Sequence, residues 1–216
     1  MTSRPTRGLF VTLEGGESAG KSTQATALAA RARDLGIETV TTREPGGTAL
    51  GERLRETLLG SSDGAVDERA ELLIFGASRA QLVAEVIGPA LDRGALVICD
   101  RFADSTVAYQ QYGRGLAAAA VTAAVDIATD GLRPDVTLLF DLEPTAARAR
   151  AEGADDYLER EDRAFHERVC TGFRQLAADD PDRWLIIDAM LPVDQVTEVA
   201  WERVRTDLEA VGLLEA

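Results

Sequence analysis

Five short apolar runs punctuate the chain, and helical repeats separate them. Residues 9–13 (LFVTL) form the first run and give way to Glu14-Gly15. The spacing then predicts a helix over 21–35, stopped by Gly36. Residues 38–42 (ETVTT) alternate with β-branched side chains and predict a second strand. Leu50, Leu54 and Leu58 recur at a helical period. Residues 68–93 read as one long helical stretch, bent or broken at Gly88-Pro89, because proline has no N–H to donate and crowds the preceding turn. Residues 95–99 (ALVIC) are wholly apolar, as a parallel strand covered on both faces must be. An alanine-rich helix is expected over 116–129, and a fourth strand over 136–140 (VTLLF). Helices over 144–151 and 161–178 flank a polar segment, a fifth strand spans 184–187, and a helix over 192–211 follows.

Strands that alternate with helices imply an α/β fold, with a parallel five-stranded sheet covered by helices on both faces. The length, 216 residues, suits one domain, 1–216, with residues 1–7 as a flexible tail. The polar segment near 152–160 is too short for a domain and suits a lid, with 148–160 as the lid region.

The charge is −14, from 23 basic and 37 acidic residues. That excludes a general nucleic-acid or membrane-surface binder, both of which need a basic face, and leaves room for a local basic pocket. Cys99 and Cys170 lie in apolar and helical contexts and read as reduced thiols. The apolar stretch 115–125 is about half the length a bilayer span needs. The first residues, MTSRPTRG, have no apolar leader segment. The expectation is a cytoplasmic protein with no nucleic-acid and no membrane partner.

The chemistry starts at GGESAGKST, Gly15 to Thr23, which fits the pattern G-x-x-x-x-G-K-[ST]. Gly15 and Gly20 let the backbone turn toward a phosphate. The N–H groups of Gly16, Glu17, Ser18 and Ala19 and the following helix start face the anion. Lys21 reaches the transferred phosphate, and Ser22 can ligate magnesium. The loop follows an apolar strand and opens a helix, which is the context that nucleoside-triphosphate binding requires. No N-K-x-D base-reading motif of a regulatory GTPase is present, and no lysine precedes the paired glycines. A phosphoryl transferase acting on a small acceptor remains.

Further clusters stand at strand ends, where a parallel sheet opens its ligand crevice. Arg43-Glu44-Pro45-Gly46-Gly47 follows the second strand, and Asp100-Arg101-Phe102 the third. Asp100 can orient hydrated magnesium, and Arg101 can clamp a phosphate. Ser105, Thr106, Tyr109 and Gln110 follow, ahead of Gly113-Arg114-Gly115. Phe75 and Arg79 sit four apart and share a helix face. Phe75 suits either the core or a stacking contact with a base, beside an Arg79 that bonds the base's edge.

Taken together, GGESAGKST, REPGG at 43–47, FGASR at 75–79, DRFADSTVAYQQYGRG at 100–115 and RPD at 133–135 closely resemble bacterial thymidylate kinases, in order and spacing over essentially the whole chain. The resemblance implies a P-loop kinase of three α/β/α layers with a short lid. It implies transfer of the γ-phosphoryl of ATP to dTMP with Mg2+, giving dTDP, by a homodimer. It places Arg43 and Arg101 near the acceptor phosphate, Phe75 on the thymine face and Arg79 at its carbonyl edge. Ser105 and Thr106, with Gln110 beside them, fall where the pyrimidine edge is read. Tyr109 falls against the sugar 2′ position, and Glu17 at the acceptor's 3′-hydroxyl.

One departure concerns the lid. Relatives without an arginine in the loop carry Asp-Arg in the lid, where this chain has Asp156-Tyr157. The clamping cation is then Arg148, Arg150 or Arg160, with the first two favoured because helix packing fixes their direction. His166 receives no catalytic role. Alternatives from other readings are a kinase for dUMP or a deoxynucleoside, and a non-catalytic P-loop binding protein. A thymine methyl is worth only about 1–3 kcal/mol of discrimination, so dUMP stays open.

Overall fold

The computed structural model describes residues 7–59, 66–150, 158 and 160–215. Most of the expected tail, residues 1–6, and the middle of the expected lid, 151–157 with 159, lie outside the described residues.

Five strands form one parallel sheet: β1 (Phe10–Glu14), β2 (Thr39–Arg43), β3 (Leu96–Asp100), β4 (Val136–Asp141) and β5 (Trp184–Asp188), in the order β2-β3-β1-β4-β5. The helices are α1 (Lys21–Asp34), α2 (Ala49–Leu59), α3 (Glu68–Leu82), α4 (Gly88–Asp92), α5 (Ala103–Thr106), α6 (Ala118–Thr129), α7 (Pro144–Arg150), α8 (Arg163–Asp179) and α9 (Val193–Ala210).

Alternate residues of the apolar strands serve opposite faces. Leu96 and Ile98 join Leu28, Val11, Leu13 and Val204 in one buried cluster, while Val97 and Cys99 join Phe10, Leu82, Ile87 and Phe102 in another. A third cluster, with Leu139, Phe165, Val169 and Trp184, lies under α8.

The chain leaves β1 toward β2 and leaves β3 toward β4, in opposite senses. The crevice of this sheet therefore opens between the ends of β1 and β3. Leu13 pairs with Asp100, and Arg43 pairs with the same Asp100, so three strands end level at that crevice.

The long helical stretch is not broken at Gly88-Pro89. A π-helical turn, Val83–Ile87, precedes it and joins α3 to α4, with the Gly88 N–H bonded to the Val83 carbonyl five residues back. The wider turn makes room for the proline ring, and Pro89 sits in the first turn of α4, where no N–H is needed. A second π-helical segment, Val107–Gly113, continues α5 through the tyrosine- and glutamine-bearing motif, which the sequence pattern had not shown to be helical.

Candidate active site

The glycine loop takes its shape from three left-handed residues, Gly15, Ser18 and Gly20. At Gly15 (φ +137°) a Cβ would stand 2.4 Å from the Phe140 carbonyl oxygen, so only glycine fits. Gly20 caps α1, and Thr23 lies in its first turn. Lys21 is buried and folds over the loop, its Nζ donating to the carbonyls of Gly15 (3.2 Å) and Gly16 (2.6 Å). Burial, then the Arg101 charge, lowers the Lys21 ammonium to about 8.

Ser22 Oγ donates to Asp100 Oδ2 at 2.5 Å, tying the start of α1 to the end of β3. One hydroxyl and one carboxylate are hard oxygen donors. They suit Mg2+, which keeps much of its shell as water and substrate phosphate.

Arg101 sits at φ +69°, a conformation that costs a non-glycine residue about 1–3 kcal/mol and marks a constrained site. Its guanidinium donates to the Gly15 carbonyl (3.0 Å), Ser105 Oγ (3.2 Å) and Glu17 Oε1 (2.5 Å), and lies 5.1 Å from the Tyr109 ring centre. The Tyr109 hydroxyl donates to the same Glu17 oxygen at 2.9 Å. Burial alone would raise the Glu17 carboxyl, but Arg101 and Lys21 together hold it down at about 2. Glu17 is therefore a fixed anion turned from the loop toward Arg101 and Tyr109.

Arg79 is almost wholly buried. Its Nε and Nη2 both donate to Glu44 Oε2 (2.8 and 2.6 Å), and Nη2 also reaches the Phe102 carbonyl (3.0 Å). Its third nitrogen, Nη1, has no hydrogen-bond partner among the described residues.

Two cavities meet at this loop and share Glu17 and Tyr109. The smaller, about 90 Å³, brings together Glu17, Phe75, Arg79, Arg101, Ser105, Thr106, Tyr109 and Gln110, which is the expected acceptor set apart from Arg43. Arg43 is instead exposed and paired with Glu52 at 3.0 Å. Phe75 packs on the cluster that includes Tyr109 and also lines the smaller cavity. The larger cavity, about 140 Å³, runs from Gly16, Glu17 and Ser18 to α7 and α8, where Arg148, Arg163 and His166 line it. Arg150 points elsewhere, donating to the Ala189 carbonyl at 3.0 Å. Arg160 is exposed and lines neither cavity.

Several contributors were not foreseen. Arg55 lines the smaller cavity and Arg163 the larger. Glu14 accepts from the Phe102 N–H (2.9 Å) and Ser105 Oγ (2.5 Å), and burial with the Asp104 charge lifts its carboxyl to about 8. Glu71, fully buried, binds Gln110 and Arg114. A signal for it existed: Glu71, Phe75 and Arg79 follow i, i+4, i+8 on one helix face.

A strand–loop–helix phosphate cradle beside a second, arginine-lined cavity defines a P-loop phosphotransferase with separate donor and acceptor sites. Residues 13–199 match the family model described as thymidylate kinase. The chain is 52% identical over 193 residues to the thymidylate kinase of Pseudomonas fluorescens SBW25, covering 88% of this chain and 92% of that one. It is 47% identical over 200 residues to that of Deinococcus radiodurans, covering 92% and 97%. The crystal structure of thymidylate kinase from Ehrlichia chaffeensis superposes with a TM-score of 0.75 at 32% identity, covering 92% of this chain and 99% of that one. The chain belongs to the thymidylate kinase family and is an ATP-dependent kinase that phosphorylates dTMP.

Proposed function

We propose that dTMP occupies the smaller cavity and that the ATP phosphates lie on Gly15–Thr23 where it meets the larger one. The carrying observation is the buried, unpartnered Arg79 Nη1 in the smaller cavity, since a buried donor without a partner costs about 1–3 kcal/mol unless a ligand satisfies it. Phe75 stacks on the base, and Arg79 donates to its 4-carbonyl. Tyr109 crowds the sugar 2′ carbon, and Glu17 accepts from the 3′-hydroxyl. Arg101 reaches the acceptor phosphate, with Arg43 able to join it from the end of β2.

A phosphate oxygen of dTMP attacks the γ-phosphorus. The new P–O bond forms as the bond to the β–γ bridging oxygen breaks, and ADP leaves with that electron pair. No protein nucleophile is needed, because positioning and neutralised charge carry the reaction. Lys21 and Arg101 hold the two phosphate groups in line. Ser22 and Asp100 would hold Mg2+, which would supply charge neutralisation to the transferring phosphate. The region 148–160 acts as the lid, and Arg148 supplies its cation.

The homodimer reading is supported by α3 and α6, which pack together and each leave a large apolar side chain exposed, Leu73 and Ile127. Both cysteines are free and buried, which suits a reducing, cytoplasmic setting. A coupled ADP-release assay with each nucleoside monophosphate, run on the wild type and on Phe75→Ala, tests the site. Loss confined to the dTMP Michaelis constant supports it, and an unaltered constant returns Phe75 to the core alone.

A further inference from the structure

Glu71 lies on α3 with its side chain fully buried, outside the reacting centre. Arg114 clamps it with Nη2 at 2.9 Å and Nε at 3.3 Å. Arg114 is itself fixed, donating to Glu161 at 2.5 Å and lying 4.9 Å over the Phe165 ring. On the other side, Gln110 Nε2 donates to Glu71 Oε1 at 2.8 Å.

A carboxylate paired with a guanidinium only accepts hydrogen bonds. The nitrogen of the Gln110 amide must therefore face Glu71, and its oxygen must face away. Gln110 lines the acceptor cavity, as does Arg79 with its unpartnered Nη1. Among the polar groups of the cavity, which also include Glu44 and Thr106, Arg79 thus contributes a donor and Gln110 an acceptor. A pyrimidine with a 4-carbonyl beside an N3–H complements both. A 4-amino pyrimidine inverts both, setting N–H against N–H and lone pair against lone pair. A site built from buried polar groups rejects such a mismatch by several orders of magnitude.

We propose that Glu71 is a positioning residue that fixes which way the Gln110 amide faces, so that the pocket accepts a 4-oxo, N3–H pyrimidine edge and excludes a 4-amino edge. The proposal rests on the reading that the acceptor base occupies this cavity. Substitution of Glu71 by glutamine keeps shape and the Arg114 Nη2 bond, gives up the longer Nε bond, and supplies an N–H that lets the Gln110 amide turn over.

The test compares kcat/KM for dTMP and for the 5-methylcytosine deoxynucleotide, which keeps the methyl and changes only the edge. In Glu71→Gln the dTMP value should fall about tenfold and the ratio between substrates should narrow at least tenfold, with the Michaelis constant for ATP unchanged. A role in folding alone would lower both substrates together, and a constant ratio overturns the proposal. Gln110→Leu leaves the Glu71–Arg114 pair intact and covers the case of an unstable Glu71 variant. It too should narrow the ratio, and an unchanged ratio counts against the proposal. Phe75→Ala separates the two levels of the argument. If neither Phe75→Ala nor Gln110→Leu alters dTMP kinetics, the base lies elsewhere. If both do and Glu71→Gln leaves the ratio constant, only the role of Glu71 fails.

Discussion

The two cavities on either side of Glu17 hold their cations differently. In the smaller cavity Arg79 and Arg101 are each paired with a carboxylate and only 2% and 14% exposed, and Arg114, behind Gln110, is 12% exposed. On the lid side Arg163 is 69% exposed and paired within its own helix to Glu167, and Arg148 is exposed. A cation held in place reads a ligand without reorganising, so its geometry becomes specificity. A solvated cation contributes little until closure removes water from around it. On the proposed assignment, the acceptor site is built before substrate arrives, and the phosphoryl-transfer site awaits closure of the proposed lid.

The largest effect expected from this contrast is at Arg148. Arg148→Ala should cut turnover at saturating substrates by roughly 10³-fold, as removal of an arginine finger does, with little change in dTMP binding. Arg150→Ala and Arg160→Ala should stay within about threefold, because neither side chain lines the cavity at the phosphate loop. Turnover lost in Arg150→Ala and kept in Arg148→Ala would move the clamp to the β5–α9 side.

Next is the fixed anion. Glu17→Gln keeps size and loses charge, and should lower kcat/KM for dTMP about 10²-fold, the cost of a charge-assisted hydrogen bond to the sugar. ATP binding should survive. The 3′-deoxy analogue of dTMP is the control: it lacks the hydroxyl, so the mutation should hurt it far less. Equal losses on both substrates would mean that Glu17 acts through Arg101 instead.

The same contrast decides what the sequence reveals. The apolar runs located all five strands, yet every strand runs one residue further at its C-terminal end than the pattern shows. Each ends on a charged residue, Glu14, Arg43, Asp100, Asp141 or Asp188. Hydrophobic patterning stops at the first charge, while the backbone ladder continues to the sheet edge where charge is useful. The phosphate loop was legible because its mechanism is local. The carboxylates that hold the polar side chains in and around the smaller cavity were not: Glu44 meets Arg79 35 positions away, Glu71 meets Arg114 43 away, and Glu14 meets Ser105 91 away. Such pairs form only when the sheet brings its edges together. The helical nature of 103–113 was hidden for a related reason, since its polar positions face a binding cavity and break the apolar period.

The pH dependence sharpens the division further. Lys21 is lowered to about 8, chiefly by burial, so the free enzyme loses that charge as pH rises through about 8. An ordinary lysine in the unfolded chain keeps its proton to roughly 10.4. Between those values the unfolded state binds more protons, so stability rises with pH while phosphate binding weakens. kcat/KM for ATP should therefore fall about tenfold per pH unit above about 8. Lys21→Arg stays charged and should erase the limb at some cost in rate. Glu14 also titrates near 8, so a limb that survives Lys21→Arg and vanishes in Glu14→Gln belongs to Glu14.

The smallest expected effect separates the two parts of Tyr109. Its ring packs edge-on to Phe165 and Phe173 at 6.1 and 6.2 Å, and its hydroxyl donates to Glu17 at 2.9 Å. Tyr109→Phe keeps the ring and removes one of the two groups that hold Glu17, leaving Arg101. Glu17 then has more freedom but remains paired. The dTMP kcat/KM should fall by about three- to tenfold, the loss of one hydrogen bond with its partner still satisfied. On the proposed fit, in which the ring crowds the 2′ carbon, discrimination between dTMP and its ribonucleotide should not change. Parallel kinetics on both nucleotides decide it. If the ribonucleotide gains ground in Tyr109→Phe, the hydroxyl rather than the ring excludes the 2′-oxygen, and the prebuilt acceptor site owes its sugar selectivity to a polar contact instead of to shape.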